Sequence, residues 1–272
     1  MGFKVFQKFL TWFIQLTPEI KRSFWKWWYN AFAKRARDDA FKFMNYGYHA
    51  PGFNPVLQEF DENERFPIHL YHHVATQINI ADKTILEVGS GRGGGASYLT
   101  RYLNPKSYVG IDISEVAVSL CNDIHHVENL SFQAGDSENI PFEDKKFDVV
   151  LNVESSHCYG DMEKFMAEVT RVLKPGGYFL WCDLRPGSSR EKTNHHLTCS
   201  GLRLINSNEI TENIIVALEK MSIDRKNAIK TRVPKFVRNI FESYAGVQGS
   251  RVHDSFINGT LIYLSAAMQK PE

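Results

Sequence analysis

TILEVGSGRGGGASYLTRYLNPKSYVGIDISEVAVSLCN, residues 84–122, is the stretch whose reading decides the fold. Its apolar opening (Ile85, Leu86, Val88) runs into glycines at alternate positions, Gly89, Gly91 and Gly93, and then into apolar residues at helical spacing. This reads as strand, glycine turn and helix. A parallel strand that turns sharply into its crossover helix needs positive φ and close backbone approach, and glycine permits both. A second apolar run, 108–113, carries Asp112 near its end, with Ile113 beside it. An ionised carboxylate is acceptor-only and has two oxygens, which suits the two hydroxyls of a ribose. The stretch predicts a nucleotide-binding βαβ unit.

The glycines alone leave the ligand open, because Gly89, Gly91 and Gly94 also satisfy G-x-G-x-x-G, the dinucleotide fingerprint. Glu87, two residues before the first glycine, gives instead E-x-G-x-G-x-G. Three tracts follow in order: AGDS at 134–137, PFEDKKFDVVLNVESSHCY at 141–159 and FMAEVTRVLKPGGYFLWCD at 165–183. With these motifs in register across 70–183, the sequence resembles the class I methyltransferases that act on small molecules and lipids. The tract 152–185 looks most like bacterial methyltransferases of phthiotriolone-type lipids and related polyketide or fatty-acid O-methyltransferases.

The resemblance implies an α/β fold: a Rossmann-like, seven-stranded sheet, mostly parallel with an antiparallel last strand, with N-terminal helices and a helical cap inserted near the C-terminus. It implies S-adenosyl-L-methionine as cofactor, with Tyr46, Glu87, Gly89, Gly91, Gly93, Asp112, Ile113, Asp136, Ser137 and Asn152 as its binding residues. In such enzymes the acidic residue before the glycines helps hold the cofactor's amino-acid end. The one after the third strand accepts a hydrogen bond from the adenine amino group, and a tyrosine-bearing segment folds over the cofactor. Tyr46 and Tyr48 both lie in such a segment; Asp136 and Ser137 equally suit a helix N-cap.

A chain of 272 residues, 43% hydrophobic, can bury a full core, and one α/β domain with a cap is the economical arrangement. The expected division is an aromatic and basic helical segment at 1–50 and a methyltransferase domain at 51–272, with the cap at about 207–250. A net charge of +1 gives no sign of nucleic-acid binding. Cys121, Cys158, Cys182 and Cys199 lack C-x-x-C spacing, which fits neither zinc nor a disulfide framework and favours a reducing, cytoplasmic setting.

The first fifty residues hold four of the five tryptophans, Trp12, Trp25, Trp27 and Trp28, interleaved with lysines and arginines. No apolar run there reaches the ~20 residues of a membrane span, and neither a signal peptide nor a myristoylation pattern fits. Two readings stand: peripheral contact with a membrane surface through 1–42, or helices that bury their rings against the domain.

Helices are expected at 68–78, 116–122, 165–173, 209–221 and 235–244, with a breaker at Pro234. Strands are expected at 130–134, 147–153, 178–182, 202–206 and 259–269 besides the first two, with a sharp turn at Lys174-Pro175-Gly176-Gly177. His69, His72 and His73 are weak metal candidates, since no carboxylate or cysteine stands at ligand spacing; a substrate contact or a plain surface role is expected. In the cap, Ile210, Ile214, Ile215, Phe236, Val237, Ile240 and Phe241 suit either a greasy substrate or ordinary helix packing.

Open α/β sheets bind ligands beyond the carboxyl ends of their strands, which brings the run Asn152 to His157 to the site. A hydroxyl acceptor must lose a proton during methylation, and histidine is matched to that task near neutral pH. His157 is therefore the expected base, and Asp183, at the end of the next strand, is expected either to orient its imidazole or to touch substrate. The expected reaction is O-methylation of a hydrophobic small molecule, a lipid, polyketide or terpenoid. The alternatives are C-methylation and, against Glu87 and Asp136, a nucleotide-dependent oxidoreductase.

Overall fold

The computed structural model describes residues 42–232 and 238–272. The aromatic and basic residues of 1–41, Pro234, Phe236 and Val237 lie outside these residues, and so do the expectations placed on them.

Seven strands form one sheet: β1 (Thr84–Val88), β2 (Ser107–Asp112), β3 (Leu130–Ala134), β4 (Phe147–Val153), β5 (Leu173–Pro186), β6 (Arg203–Glu209) and β7 (Leu261–Gln269). Their order across the sheet is β3-β2-β1-β4-β5-β7-β6. The first five run parallel, and β7 is antiparallel to both β5 and β6. The order in which strands are added reverses between β1 and β4, so the crevice opens at the ends of these two strands, where doubly wound sheets bind their ligands.

The connecting helices are α1 (Arg65–Ala75), α2 (Gly94–Leu103), α3 (Glu115–Ile124), α4 (Met162–Val172), α5 (Arg190–Thr198), α6 (Thr211–Arg232), α7 (Arg238–Tyr244) and α8 (Arg251–Ile257). Ser114 caps α3 by accepting from Ala117 N at 3.1 Å, and Asp161 caps α4 by accepting from Glu163 N and Lys164 N. Helices α6 to α8 fill the expected insertion between β6 and β7. Neither α5 nor α8 was foreseen, since both are short and carry mixed polar sequence.

Alternation along the strands sorts the core into two faces. On one, Ile85, Tyr108, Val149 and Leu151 pack with Ile68, Leu70 and Val74 of α1, Leu99 of α2 and Ile214 and Leu218 of α6. On the other, Leu86, Val88, Val150, Phe179 and Trp181 pack with Phe165, Val169 and Val172 of α4. The turn expected at 174–177 lies instead inside β5. Between the pairs Phe147↔Leu173 and Val149↔Tyr178, β4 advances two residues while β5 advances five, so the glycines loop out of a strand that resumes its register.

Three of the cap isoleucines, Ile210, Ile214 and Ile215, settle as core. Ile210 and Ile214 are buried with Phe256 and Tyr263, and Ile215 packs against them, which is the packing role rather than a substrate wall. The three histidines of α1 also depart from the surface role. His73 stacks on Tyr48 at 4.3 Å, while His69 and His72 meet Phe53 edge-on. Burial depresses both His69 and His73 to about 4, which keeps them neutral. Among the described residues, no group of three or more His, Cys, Asp or Glu could hold a metal ion, and no helix is long and apolar enough to cross a membrane.

Candidate active site

A cleft opens at the carboxyl ends of β1, β2 and β4. Its walls are 88–92 after β1, 112–113 after β2, 135–138 after β3, and Val153, Glu154, Ser155 and 157–159 after β4. A strap, 42–46, and Tyr71 of α1 complete it.

The glycine turn is shaped by close neighbours. Gly89 has φ +79°, and a Cβ there would fall 2.3 Å from Ser155 Oγ. A Cβ on Gly95 would sit 2.0 Å from the Tyr71 ring, which explains a glycine that the motif itself does not require. Gly93 stands at the cap of α2, behind the cleft wall that Gly89 and Gly91 line.

Asp112 takes one backbone donor on each oxygen, Gly91 N on Oδ2 and Ser114 N on Oδ1, both at 2.9 Å. Burial pushes this carboxyl up, and the two N–H groups act against that rise. Each oxygen keeps a lone pair for a ligand. Asp136 accepts Glu138 N on Oδ1 at 2.9 Å, and Asn139 N reaches its carbonyl at 3.1 Å. It therefore closes a turn, and the helix N-cap reading fails because no helix follows. Ile113 and Ser137 line the cleft beside these residues.

Glu87 departs from the expectation that it faces the ligand. It is fully buried, and its two oxygens accept the Tyr71 hydroxyl at 2.8 Å and the Tyr108 hydroxyl at 2.9 Å. Two-residue alternation explains this placement. Leu86 and Val88 share the α4 face, so Glu87 points to the opposite face, beneath α1 and α2. Burial pushes it up to about 7, against the two tyrosine hydrogen bonds. Its link to the cleft runs through Tyr71, which lines the wall and which sequence reasoning missed; the surplus Gly95 was the available signal.

Asn152 also lies behind the wall. Its amide donates to Val88 O at 2.9 Å, Ser155 Oγ at 2.8 Å and Tyr159 Oη at 2.9 Å, tying the tip of β4 to the glycine turn. Tyr46 does line the cleft, whereas Tyr48 belongs to the aromatic cluster on α1.

On the other side, a short 3-10 turn, Ser156–Cys158, carries His157. Its Nδ1 lies 2.7 Å from Asp183 Oδ1, and its backbone N–H donates to Oδ2 at 2.7 Å. Asp183 is fully buried and also accepts from Ser156 Oγ at 2.6 Å and Leu184 N at 2.8 Å, with Arg185 Nη1 at 2.7 Å. Burial alone would raise this carboxyl, but Arg185 and His157 outweigh it and hold Asp183 well below the usual carboxylate range. For His157, burial works against the imidazolium, while Cys158 and Asp183 overcome it and keep the ring well above its ordinary value. Asp183 itself does not line the cleft; it holds His157, whose side chain remains 27% exposed.

The residues fit an adenosyl ligand. Asp112 faces the cleft with a lone pair to spare on each oxygen, Asp136 lines the same cleft, and Ser90 Oγ, in the glycine turn, is buried without a hydrogen-bond partner. The family described as "Methyltransferase domain" matches residues 86–181. The phthiotriol/phenolphthiotriol dimycocerosates methyltransferase of Mycobacterium tuberculosis is 39% identical over 240 residues, 88% of this chain and 89% of that protein. The chain belongs to the S-adenosylmethionine-dependent methyltransferases. The fatty-acid O-methyltransferase of Mycolicibacterium smegmatis is 37% identical to this methyltransferase over 245 residues, 89% of this chain and 88% of that one. Among solved structures, the [4+2]-cyclase SpnF superposes with a TM-score of 0.68 at 18% identity, covering 94% of this methyltransferase and 96% of the cyclase. That likeness concerns the fold alone, since one scaffold hosts several chemistries.

Proposed function

We propose that this methyltransferase methylates a hydroxyl on a hydrophobic small molecule of the lipid class, with His157 as the base. The names of the two relatives, one acting on a phthiotriol and the other on a fatty acid, support a lipid acceptor. The observation that carries the reading is the His157–Asp183 contact at the cleft wall. With Nδ1–H donated to Asp183, the neutral ring carries its lone pair on Nε2, ready for a hydroxyl proton.

In this reading Asp112 accepts the ribose hydroxyls, Asp136 and Ser137 face the adenine, and Gly89, Ser90 and Gly91 let the ligand approach the backbone. Tyr46 closes the strap over it. Glu87, Gly93 and Asn152 serve the same end at one remove, by setting Tyr71, α2 and the β4 tip. The bound cofactor supplies an electrophilic methyl group on a sulfonium. The chain then has to align the acceptor and take its proton.

The test is transfer of labelled methyl groups from S-adenosylmethionine to lipids that carry a free hydroxyl, a free carboxyl or neither, with the product bond identified by NMR. A methyl ether that depends on His157 is the expected product. A carbon-bound methyl, or transfer that survives His157→Ala unchanged, would overturn the reading.

A further inference from the structure

The strap is joined to the tip of β4 by one acidic side chain. Glu154 Oε2 accepts the Tyr46 backbone N–H at 2.9 Å and the Tyr263 hydroxyl, from β7, at 2.7 Å. Glu154 lines the cleft and has φ +50°, a left-handed conformation that a residue with a Cβ rarely adopts. Such a conformation is strained and persists only where its surroundings hold it. Here Glu154 N donates to Cys182 O at 2.9 Å, which pins the backbone and sends the side chain toward the strap. The strap is also tied outside the cleft. Asn45 Nδ2 donates to Pro67 O at 3.2 Å, Tyr48 N to Phe66 O at 2.9 Å, and Arg225 Nη2, from α6, to Asn45 O at 2.9 Å. Those contacts hold the strap to α1 and the cap. The Glu154 contact holds it to the wall that carries His157.

We propose that Glu154 is a positioning residue whose carboxylate latches Tyr46, and with it the strap, against the cofactor cleft, so that cofactor exchange requires this bond to open. The gating half rests on the cofactor-binding reading above, and the latch itself does not. A backbone N–H can only donate, so the latch is strongest when Glu154 is ionised. The groups that bear on its charge come from every side: Tyr46 on the strap, Tyr263 on β7, His157 and Asp183 at the β4 and β5 ends, Cys182 on β5, Tyr71 on α1 and Arg225 on α6. Burial raises the carboxyl to about 7, opposed by the bonds from Tyr46 and Tyr263 and by His157, and assisted by Asp183. The strap is therefore held less firmly at pH 6 than at pH 8.

Hydrogen exchange of the full chain without ligand, read by mass spectrometry on a peptide spanning 44–48 and corrected for intrinsic rates, tests the latch. Release of S-adenosylhomocysteine, followed by competition, tests the gate. Glu154→Ala should lower protection at the Tyr46 amide about tenfold, the size of one charge-assisted hydrogen bond, and speed product release by a similar factor. Glu154→Gln should restore part of both while abolishing their dependence on pH between 6 and 8. Tyr263→Phe leaves the strap bond in place and serves if Glu154→Ala does not fold; it should shift the pH dependence upward with little change at pH 8.5. Unchanged protection at Tyr46 in Glu154→Ala, or a loss spread evenly over the domain, would overturn the latch. A looser strap with unaltered product release would overturn the gate. If the unaltered chain did not bind S-adenosylhomocysteine at all, the cofactor-binding reading would fall, and the exchange data would still decide the latch.

Discussion

The two sides of the cleft treat their carboxylates differently. On the glycine-turn side, Asp112 and Asp136 receive backbone N–H groups from their own turns and from the glycine turn, both line the cleft, and Asp112 keeps a lone pair on each oxygen. On the β4–β5 side, Asp183 is saturated by His157, Ser156, Leu184 and Arg185 and does not reach the cleft. Glu154 spends its Oε2 on Tyr46 and Tyr263. A carboxylate with free lone pairs can hold a ligand, whereas a saturated one fixes a neighbour. The first side is suited to binding and the second to positioning.

Breaking the second side should cost most. Asp183→Asn leaves Arg185 buried without its charge partner, and a loss of about 3 kcal/mol in unfolding free energy is expected by chemical denaturation. Turnover should fall with it, and the pH profile should change in a defined direction. In the proposed reaction His157 serves as a base only once deprotonated, so the rate of the unaltered enzyme should rise with pH through the elevated value of the ring. Without the Asp183 charge the ring returns toward its ordinary value, and the rising limb moves to lower pH. An unmoved limb would remove His157 from the proton transfer.

His157→Ala should lower turnover about a hundredfold or more, the usual size of a general-base effect. Direct binding of S-adenosylhomocysteine should stay within about twofold, because one hydrogen-bond partner on the opposite side is not touched. A matching loss of cofactor affinity would erase the division between binding and positioning. Asp112→Asn tests the first side. The amide presents N–H groups where a ligand hydroxyl and a backbone N–H both need an acceptor, so cofactor affinity should drop about tenfold in calorimetry while the fold is retained.

The smallest functional effect is expected at Glu87. Because its oxygens serve Tyr71 and Tyr108, Glu87→Gln should leave cofactor affinity within about threefold, since both hydroxyls can turn to suit the amide. Stability should respond more clearly. The folded carboxyl keeps its proton up to about 7 while an unfolded one loses it near 4.5, so the native enzyme loses stability as pH rises through that window. The loss amounts to about 3 kcal/mol above pH 7. Glu87→Gln should flatten this part of the stability profile, and melting curves at pH 5 and 8 would show it. A large fall in cofactor affinity would instead mean that Glu87 reaches the ligand.

Much of the first side could be read in the chain because its contacts are local. Gly91 and Asp112 belong to one βαβ unit, and the glycine turn, the strand end and the helix start occur in a fixed order. The same locality made β3 and β4 legible to the residue, whereas β5 begins at Leu173, ahead of the 174–177 turn rather than after it, because strand pairing and not the glycines determines where a strand starts. Tyr71 and Tyr263 carried no signal of their own, since an aromatic at core spacing looks alike whether its hydroxyl is idle or holds a carboxylate.

By itself, then, the sequence determined the seven strands and most of the helices in order, the glycine turn after β1, and the residues at the strand ends. It could do so because periodicity and backbone conformation are properties of a few consecutive residues. Only the tertiary structure decided that Glu87 faces inward, that Asp183 is buried behind His157, and that Glu154 reaches Tyr263, 109 positions away. Those outcomes depend on which strand lies beside which and on which face each side chain takes, and burial then sets the charge that each carboxyl carries.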